Sequence, residues 1–185
     1  MRTFVAIDLG PDIKDRLAAL VARLQPLGGD IKWVSREAMH LTLKFLGEID
    51  EKQAAAVAEA LGPVCSGRAS FSLACLGTGT FPPGAKSPRV LWVGVMTGPE
   101  LGLLREEIET ACAGLGFERE SRPFRPHLTL GRVKGFSGLG RLVAELEKSR
   151  EEEFGRMSVR SVVFFESRLK PSGAEYRALK EFPLA

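Results

Sequence analysis

Histidine is nearly absent from this chain: there are two in 185 residues, alongside a single tyrosine and three cysteines. The odd cysteine count, without close C-x-x-C spacing, excludes the usual zinc-ribbon and dithiol arrangements. Cys65, Cys75 and Cys112 therefore read as reduced, mostly buried thiols. No apolar run approaches the roughly 18 residues of a membrane span, and the N-terminal stretch lacks a basic region followed by an apolar signal. The expected location is the cytoplasm, with no membrane contact. A net charge of +3 is too mild for a protein that coats duplex nucleic acid, yet it admits a small anionic substrate or an RNA end. With 44% hydrophobic and 26% charged residues the composition is that of a folded protein. Its length suffices for a real core, read as one domain over residues 1–185.

Both histidines open the same tetrapeptide, His40-Leu41-Thr42-Leu43 and His127-Leu128-Thr129-Leu130. Given two histidines and ordinary residue usage, chance agreement of the next three positions is on the order of one in a thousand or rarer. As a strand, the tetrapeptide places His and Thr on one face and the leucines on the other. Taken alone, either copy is most simply a strand with a satisfied histidine. Two such strands converging would create a cleft with an acid, a base and two hydroxyl donors.

The surrounding pattern is a weak internal repeat. Thr3 to Leu9 reads as a buried strand, followed by a helix opened by Pro11 with Ile13, Leu17, Leu20, Val21 and Leu24 on one face, running up to Gly28-Gly29. Ile31 to Val34 is a short extended piece, and the first motif strand spans roughly Met39 to Leu46. A helix follows, with Asp50 and Gln53 as a capping box and Gly62-Pro63 as its stop. Phe71 to Leu76 and Arg89 to Val95 read as strands, and the Pro- and Gly-rich Gly77–Pro88 segment as a loop. Trp92, inside an apolar run, reads as core rather than as a base-stacking platform.

Pro99 opens a third helix lasting to Gly116, and the second motif strand follows Arg122-Pro123-Phe124-Arg125-Pro126. Around it gather Arg119, Arg122, Arg125, Arg132, Lys134 and Arg141, which read either as an anion site near His127 or as a solvated charged loop. Leu139, Leu142, Val143 and Leu146 mark a fourth helix, whose solvated end is the charged run Glu147 to Glu153. Met157 to Phe165 reads as one long strand, and a turn at Lys170–Gly173 leads to a last strand around Tyr176 to Leu179. The order strand, helix, motif strand, helix occurs twice, which suggests an α+β fold of two similar lobes, each supplying one motif.

In these residues the sequence resembles the two-histidine (2H) phosphoesterase superfamily, and within it the bacterial and archaeal RNA 2′,3′-cyclic phosphodiesterases, long called 2′-5′ RNA ligases. The resemblance is carried by Arg2 to Ile7, His40 to Gly47, Arg122 to Arg132, and Glu166 to Leu169 with Gly173 to Tyr176. It implies a bilobal, pseudo-two-fold α+β fold in which antiparallel-rich sheets, flanked by helices, surround a central cleft with His40 and His127 face to face. It also implies that Thr42 and Thr129 bind phosphate, and that Phe45 and Arg132, five residues after each histidine, flank the nucleobase. Strict alternation instead puts Phe45 on the leucine face, so it can reach a substrate only if the strand bends.

The chemistry that suits these groups is the opening of a cyclic phosphodiester. A base takes a proton from water and an acid protonates the departing ribose oxygen, two jobs open to imidazoles whose ordinary pKa is about 6.5. Arg125 and Arg132 stand beside the second histidine, and a nearby cation favours neutral imidazole. That points to His127 as proton acceptor and His40 as proton donor, the same assignment the resemblance implies. Arg125 joins Arg132, Phe45, Thr42 and Thr129 as an expected substrate contact. No metal and no cofactor is expected, and the expected partner is RNA ending in a 2′,3′-cyclic phosphate, or a small cyclic nucleotide, bound by a monomer. The alternatives are a 2′-5′ RNA ligase or 2′-5′ phosphodiesterase, or a non-catalytic RNA-end binding module.

Overall fold

The computed structural model describes residues 1–185 and arranges them as two antiparallel sheets with four helices. In chain order the strands are β1 (Arg2–Asp8), β2 (Asp30–Trp33), β3 (His40–Glu48), β4 (Phe71–Phe81), β5 (Val90–Thr97), β6 (His127–Gly135), β7 (Glu153–Val159), β8 (Ser161–Lys170) and β9 (Gly173–Pro183). The helices are α1 (Pro11–Leu24), α2 (Glu51–Ser66), α3 (Glu100–Gly114) and α4 (Leu139–Lys148). One sheet has the order β3-β1-β8-β9 and the other β2-β6-β5-β4-β7. Apart from the extra edge strand β2, they correspond strand for strand: β1-α1-β3-α2 in the first half matches β5-α3-β6-α4 in the second. The doubled motif thus marks a doubled topology.

The helices are exchanged between the sheets. α1 follows a strand of the first sheet but packs on β7 of the second, whereas α3 follows a strand of the second and packs on β3 of the first. α2 lies against β8, β9 and α3, and α4 against β4 and α1. A single cluster of 37 buried apolar residues therefore draws on both halves, with Leu41, Leu43, Leu128 and Leu130 inside it. These are the leucines of the motifs, placed inward by the period of two. The sheets also touch directly where β3 meets β6, and the partly exposed His and Thr of each motif lie on the sheet faces opposite the buried leucines, the cleft faces.

Alternation breaks at the same point in both motif strands. Opposite β3, Ala6 faces Thr42 and Val5 faces Lys44, leaving Leu43 as an extra residue. Opposite β6, Trp92 faces Thr129 and Leu91 faces Gly131, leaving Leu130 as an extra residue. Each is a β-bulge, and a bulge inverts the facing of everything downstream. Lys44 and Gly131 consequently turn inward, and Phe45 and Arg132 turn outward onto the face of His and Thr. Gly131 is closely packed there, since a Cβ would lie 2.6 Å from Ile31 Cγ2.

Several expectations are corrected. Gly77 to Phe81 is not loop but the second half of β4, which bulges at Leu76-Gly77, with only 82–89 irregular between it and β5. The helix expected to stop at Gly62-Pro63 runs on to Ser66 with Pro63 inside it, its capping box at Asp50 and Gln53 intact. The single long strand expected over Met157 to Phe165 is two, β7 in one sheet and β8 in the other, broken at Arg160. The final strand is longer than its alternation suggests, because it pairs along the whole of β8 as a hairpin. All three cysteines are buried free thiols, and burial pushes them up to about 11 for Cys65 and Cys112 and about 12 for Cys75.

The packing at the second bulge can be tested directly. Gly131→Ala should destabilise the protein by about 1–3 kcal/mol, because the added methyl must displace Ile31 of β2. Gly62→Ala, in a helix with open space around it, should stabilise by roughly 0.5–1 kcal/mol. Urea unfolding midpoints moving in opposite directions would bear this out, and equal shifts would contradict it.

Candidate active site

The two imidazoles are held in the same way. His40 Nδ1 lies 2.7 Å from the carbonyl oxygen of Ala38, and His127 Nδ1 lies 2.7 Å from that of Arg125. A carbonyl oxygen can only accept, so Nδ1 carries the proton in both rings. In the neutral state Nε2 is then the unprotonated nitrogen, able to take a proton from a reactant. In the charged state it is the nitrogen able to give one. At His40, Nε2 is 2.9 Å from Thr42 Oγ1, so the threonine hydroxyl donates to the neutral ring. The approaches differ, a 3-10 turn over Arg36–Ala38 before β3 and an irregular stretch before β6, yet each sets the carbonyl two residues back against the ring.

The surroundings of the two rings differ. His40 sits among aromatic side chains, with Phe4 4.7 Å away, Tyr176 edge-on at 5.1 Å and Phe165 at 6.4 Å between ring centroids. Burial there pushes the His40 pKa below the usual imidazole value, against the opposing pull of the Ala38 carbonyl and Asp8. Lys14, ion-paired to Asp8 at 2.8 Å, adds a smaller push in the same direction as burial. His127 is more open and meets Phe81 edge-on at 5.0 Å. Phe81 in turn packs against Trp92 at 5.2 Å.

The outward turn at each bulge places Phe45 and Arg132 beside their histidines and threonines on the cleft faces, with Phe45 63% exposed. The bend that strict alternation required for Phe45 is present. Trp92 corrects the core expectation: it stands opposite Thr129 on the cleft face, half-buried, with its indole laid against Gly79, where a Cβ would come within 2.3 Å of the ring. Of the basic residues near the second motif, Arg119 is paired with Glu106 and Arg122 with Glu120 at 2.7 Å. Arg125 and Arg132 are exposed and outside these pairs. Burial pushes the Tyr176 phenol up, and the charges of Arg2 and Arg132 oppose that push.

Sequence reasoning missed the aromatic surroundings. Phe81 lay in what reads as loop, and Phe4, Phe165 and Tyr176 lie on strands whose neighbours are set by long-range pairing. The outward face of β4, with Gly79 and Phe81 in alternation, was the available signal. No group of three or more His, Cys, Asp or Glu side chains is arranged as a metal-binding cluster. No helix is long and apolar enough to cross a membrane.

The fold and the duplicated motif define a two-histidine phosphoesterase. The family model described as LigT-like phosphoesterase matches twice, over residues 7–92 and 93–176, one match for each half of the repeat. The chain belongs to this family. It is 37% identical over 182 residues to a Thermotoga maritima protein named RNA 2′,3′-cyclic phosphodiesterase, covering 98% of this chain and 94% of that one. It is 38% identical to an Archaeoglobus fulgidus protein of the same name, covering 98% and 99%. Among solved structures it superposes on a Thermus thermophilus protein with a TM-score of 0.83 at 27% identity, covering 100% of this chain and 98% of that one. It superposes on E. coli LigT complexed with 3′-AMP with a TM-score of 0.80 at 25% identity, covering 99% and 97%.

The lowered pKa of His40 has a measurable consequence for stability. As pH falls through the ordinary imidazole value near 6.5, the unfolded chain takes up a proton at position 40 before the folded chain does, so stability is lost on acidification. The fall in urea midpoint between pH 7.5 and pH 5 should be smaller in His40→Gln than in the unaltered protein. An equal or larger fall would show that His40 is not held neutral.

Proposed function

We propose that this protein hydrolyses a terminal 2′,3′-cyclic phosphate, on RNA or on a small nucleotide, to a 2′-phosphomonoester, and that His40 and His127 carry the reaction. The observation that carries this reading is the shared Nδ1–H to carbonyl bond, which gives both rings the tautomer that makes Nε2 the reacting nitrogen. The names of the relatives support the substrate class.

In the reaction, His127 Nε2 takes a proton from water as the water oxygen bonds to phosphorus. The bond from phosphorus to the ribose 3′ oxygen breaks, and that oxygen receives the proton of His40 Nε2. Burial works against a charged His40 in the free protein, and an anionic phosphate beside the ring favours the charged form, so the proton is best held once substrate is bound. Thr42 and Thr129 donate to the non-bridging oxygens, with the Thr42 hydroxyl turning from His40 Nε2 to the phosphate. Arg125 and Arg132 supply positive charge, and exposed Phe45 offers a ring for the base. One chain supplies both motifs, so the protein acts as a monomer and as one domain whose two halves share a core. Its proposed place is the cytoplasm, where RNA ends are processed.

Incubation with a nucleoside 2′,3′-cyclic phosphate and phosphorus NMR of the product should show the 2′-phosphate. A predominant 3′-phosphate would show that the substrate is seated in reverse. Thr42→Val and Thr129→Val should each slow turnover by roughly tenfold to a thousandfold while keeping the strand. Full activity in both would remove the threonines from the mechanism.

A further inference from the structure

Lys44 lies two residues beyond Thr42 on the first motif strand, yet the bulge turns it away from the cleft. Its side chain is 4% exposed, and its ammonium donates to Glu109 Oε2 at 2.8 Å and to the carbonyl oxygen of Glu118 at 2.5 Å. Glu109, on α3, has a side chain only 1% exposed. Its Oε2 also accepts from the backbone N–H of Glu120 at 3.3 Å, and its Oε1 accepts from Arg105 at 3.3 Å. The Arg105 guanidinium lies 5.0 Å from the ring centre of Phe124. Every one of these contacts reaches α3 or the irregular stretch that follows it and leads into the second motif. That stretch ends in Arg125, whose carbonyl holds His127 Nδ1, and Pro126, whose carbonyl accepts from Val95 N at 3.2 Å.

A buried ion pair is seldom more stabilising than well-packed apolar side chains of the same size, so stability alone gives little reason for a lysine here. The corresponding position of the second motif is Gly131, with no charge to place. What distinguishes the first is the segment it pins. Residues 117–126 have no ladder of their own, and their backbone is anchored by Lys44 through Glu118 and by Glu109 through Glu120. We propose that Lys44, though it belongs to the first motif strand, is a positioning residue for His127: its buried pair with Glu109 fixes the segment whose Arg125 carbonyl sets the tautomer of the second imidazole. His40, four residues away on the same strand, takes its carbonyl from Ala38 and is independent of this network.

The chain has only two histidines, so the ring nitrogens can be followed one by one. The proposal rests on the functional reading only for its effect on rate, and the tautomer is read without any turnover. Nitrogen-15 NMR at a pH where both rings are neutral should show both in the Nδ1–H form in the unaltered protein. In Lys44→Met, and in Lys44→Met/Arg105→Gln/Glu109→Gln, which removes all three charges of the buried network if the single variant fails to fold, His127 should drift toward the Nε2–H form preferred by free imidazole. His40 should stay as it was, and turnover should fall about tenfold to a hundredfold. Lys44→Arg, which keeps the donors, should restore the His127 tautomer. Leu142→Ala, a core truncation in α4, which packs on β4 and α1, should lower stability without moving either ring. Folded Lys44 variants with an unchanged His127 tautomer, or with His40 moving instead, would overturn the proposal.

Discussion

A one-residue bulge, made at the same place in two strands, governs the arrangement of this molecule. Without it, the period of two would carry Phe45 and Arg132 onto the leucine face, pointing into the core. With it, each motif strand presents His, Thr and a third, exposed side chain on one face while its leucines enter the other. The extra residues, Leu43 and Leu130, are buried, so the shift is held by apolar packing. The inward residue that follows is a lysine in one half and a glycine in the other. In the second half, β2 closes over the glycine; in the first, α3 is drawn in by the lysine.

The exchange of α1 and α3 between the sheets makes the two halves one mechanical unit. β3 cannot move without disturbing α3, nor β7 without disturbing α1, and each of those helices belongs by sequence to the other half. Near-symmetric motifs are then made unequal by what packs around them. Aromatic rings enclose His40 and disfavour its charge, whereas His127 is more open, with Phe81 and Trp92 to one side. The free protein thus favours a neutral His40, and the donor role proposed for it depends on the charge of the phosphate bound beside the ring.

Much of this was legible in the sequence because it rests on local rules. The paired tetrapeptides, the capping box of α2, the helix-opening Pro11 and Pro99 and the repeated order of elements follow from periodicity and turn chemistry. What the sequence did not reveal depends on distant partners. The break at Arg160 separates two strands that alternate as one, and only sheet membership distinguishes them. Gly77 and Gly79 read as loop punctuation, although one serves a bulge and the other receives the flat face of Trp92. Trp92 stands in an apolar run because its neighbours Leu91 and Val93 are core, while it faces the cleft itself. Two of the basic residues are not free for a substrate: Arg119 is taken up by Glu106 of α3, which the fold brings near, and Arg122 by Glu120, two residues away in the sequence.

The central claim is that two strands from opposite halves form one acid–base site. It is tested most directly by comparing turnover of a nucleoside 2′,3′-cyclic phosphate in His40→Ala, in His127→Ala and in the double variant. Groups that act as a unit lose their effect together, so the double variant should be about as slow as the more damaged single one. Losses that multiply would contradict the account, because they would mean that the two histidines contribute independently.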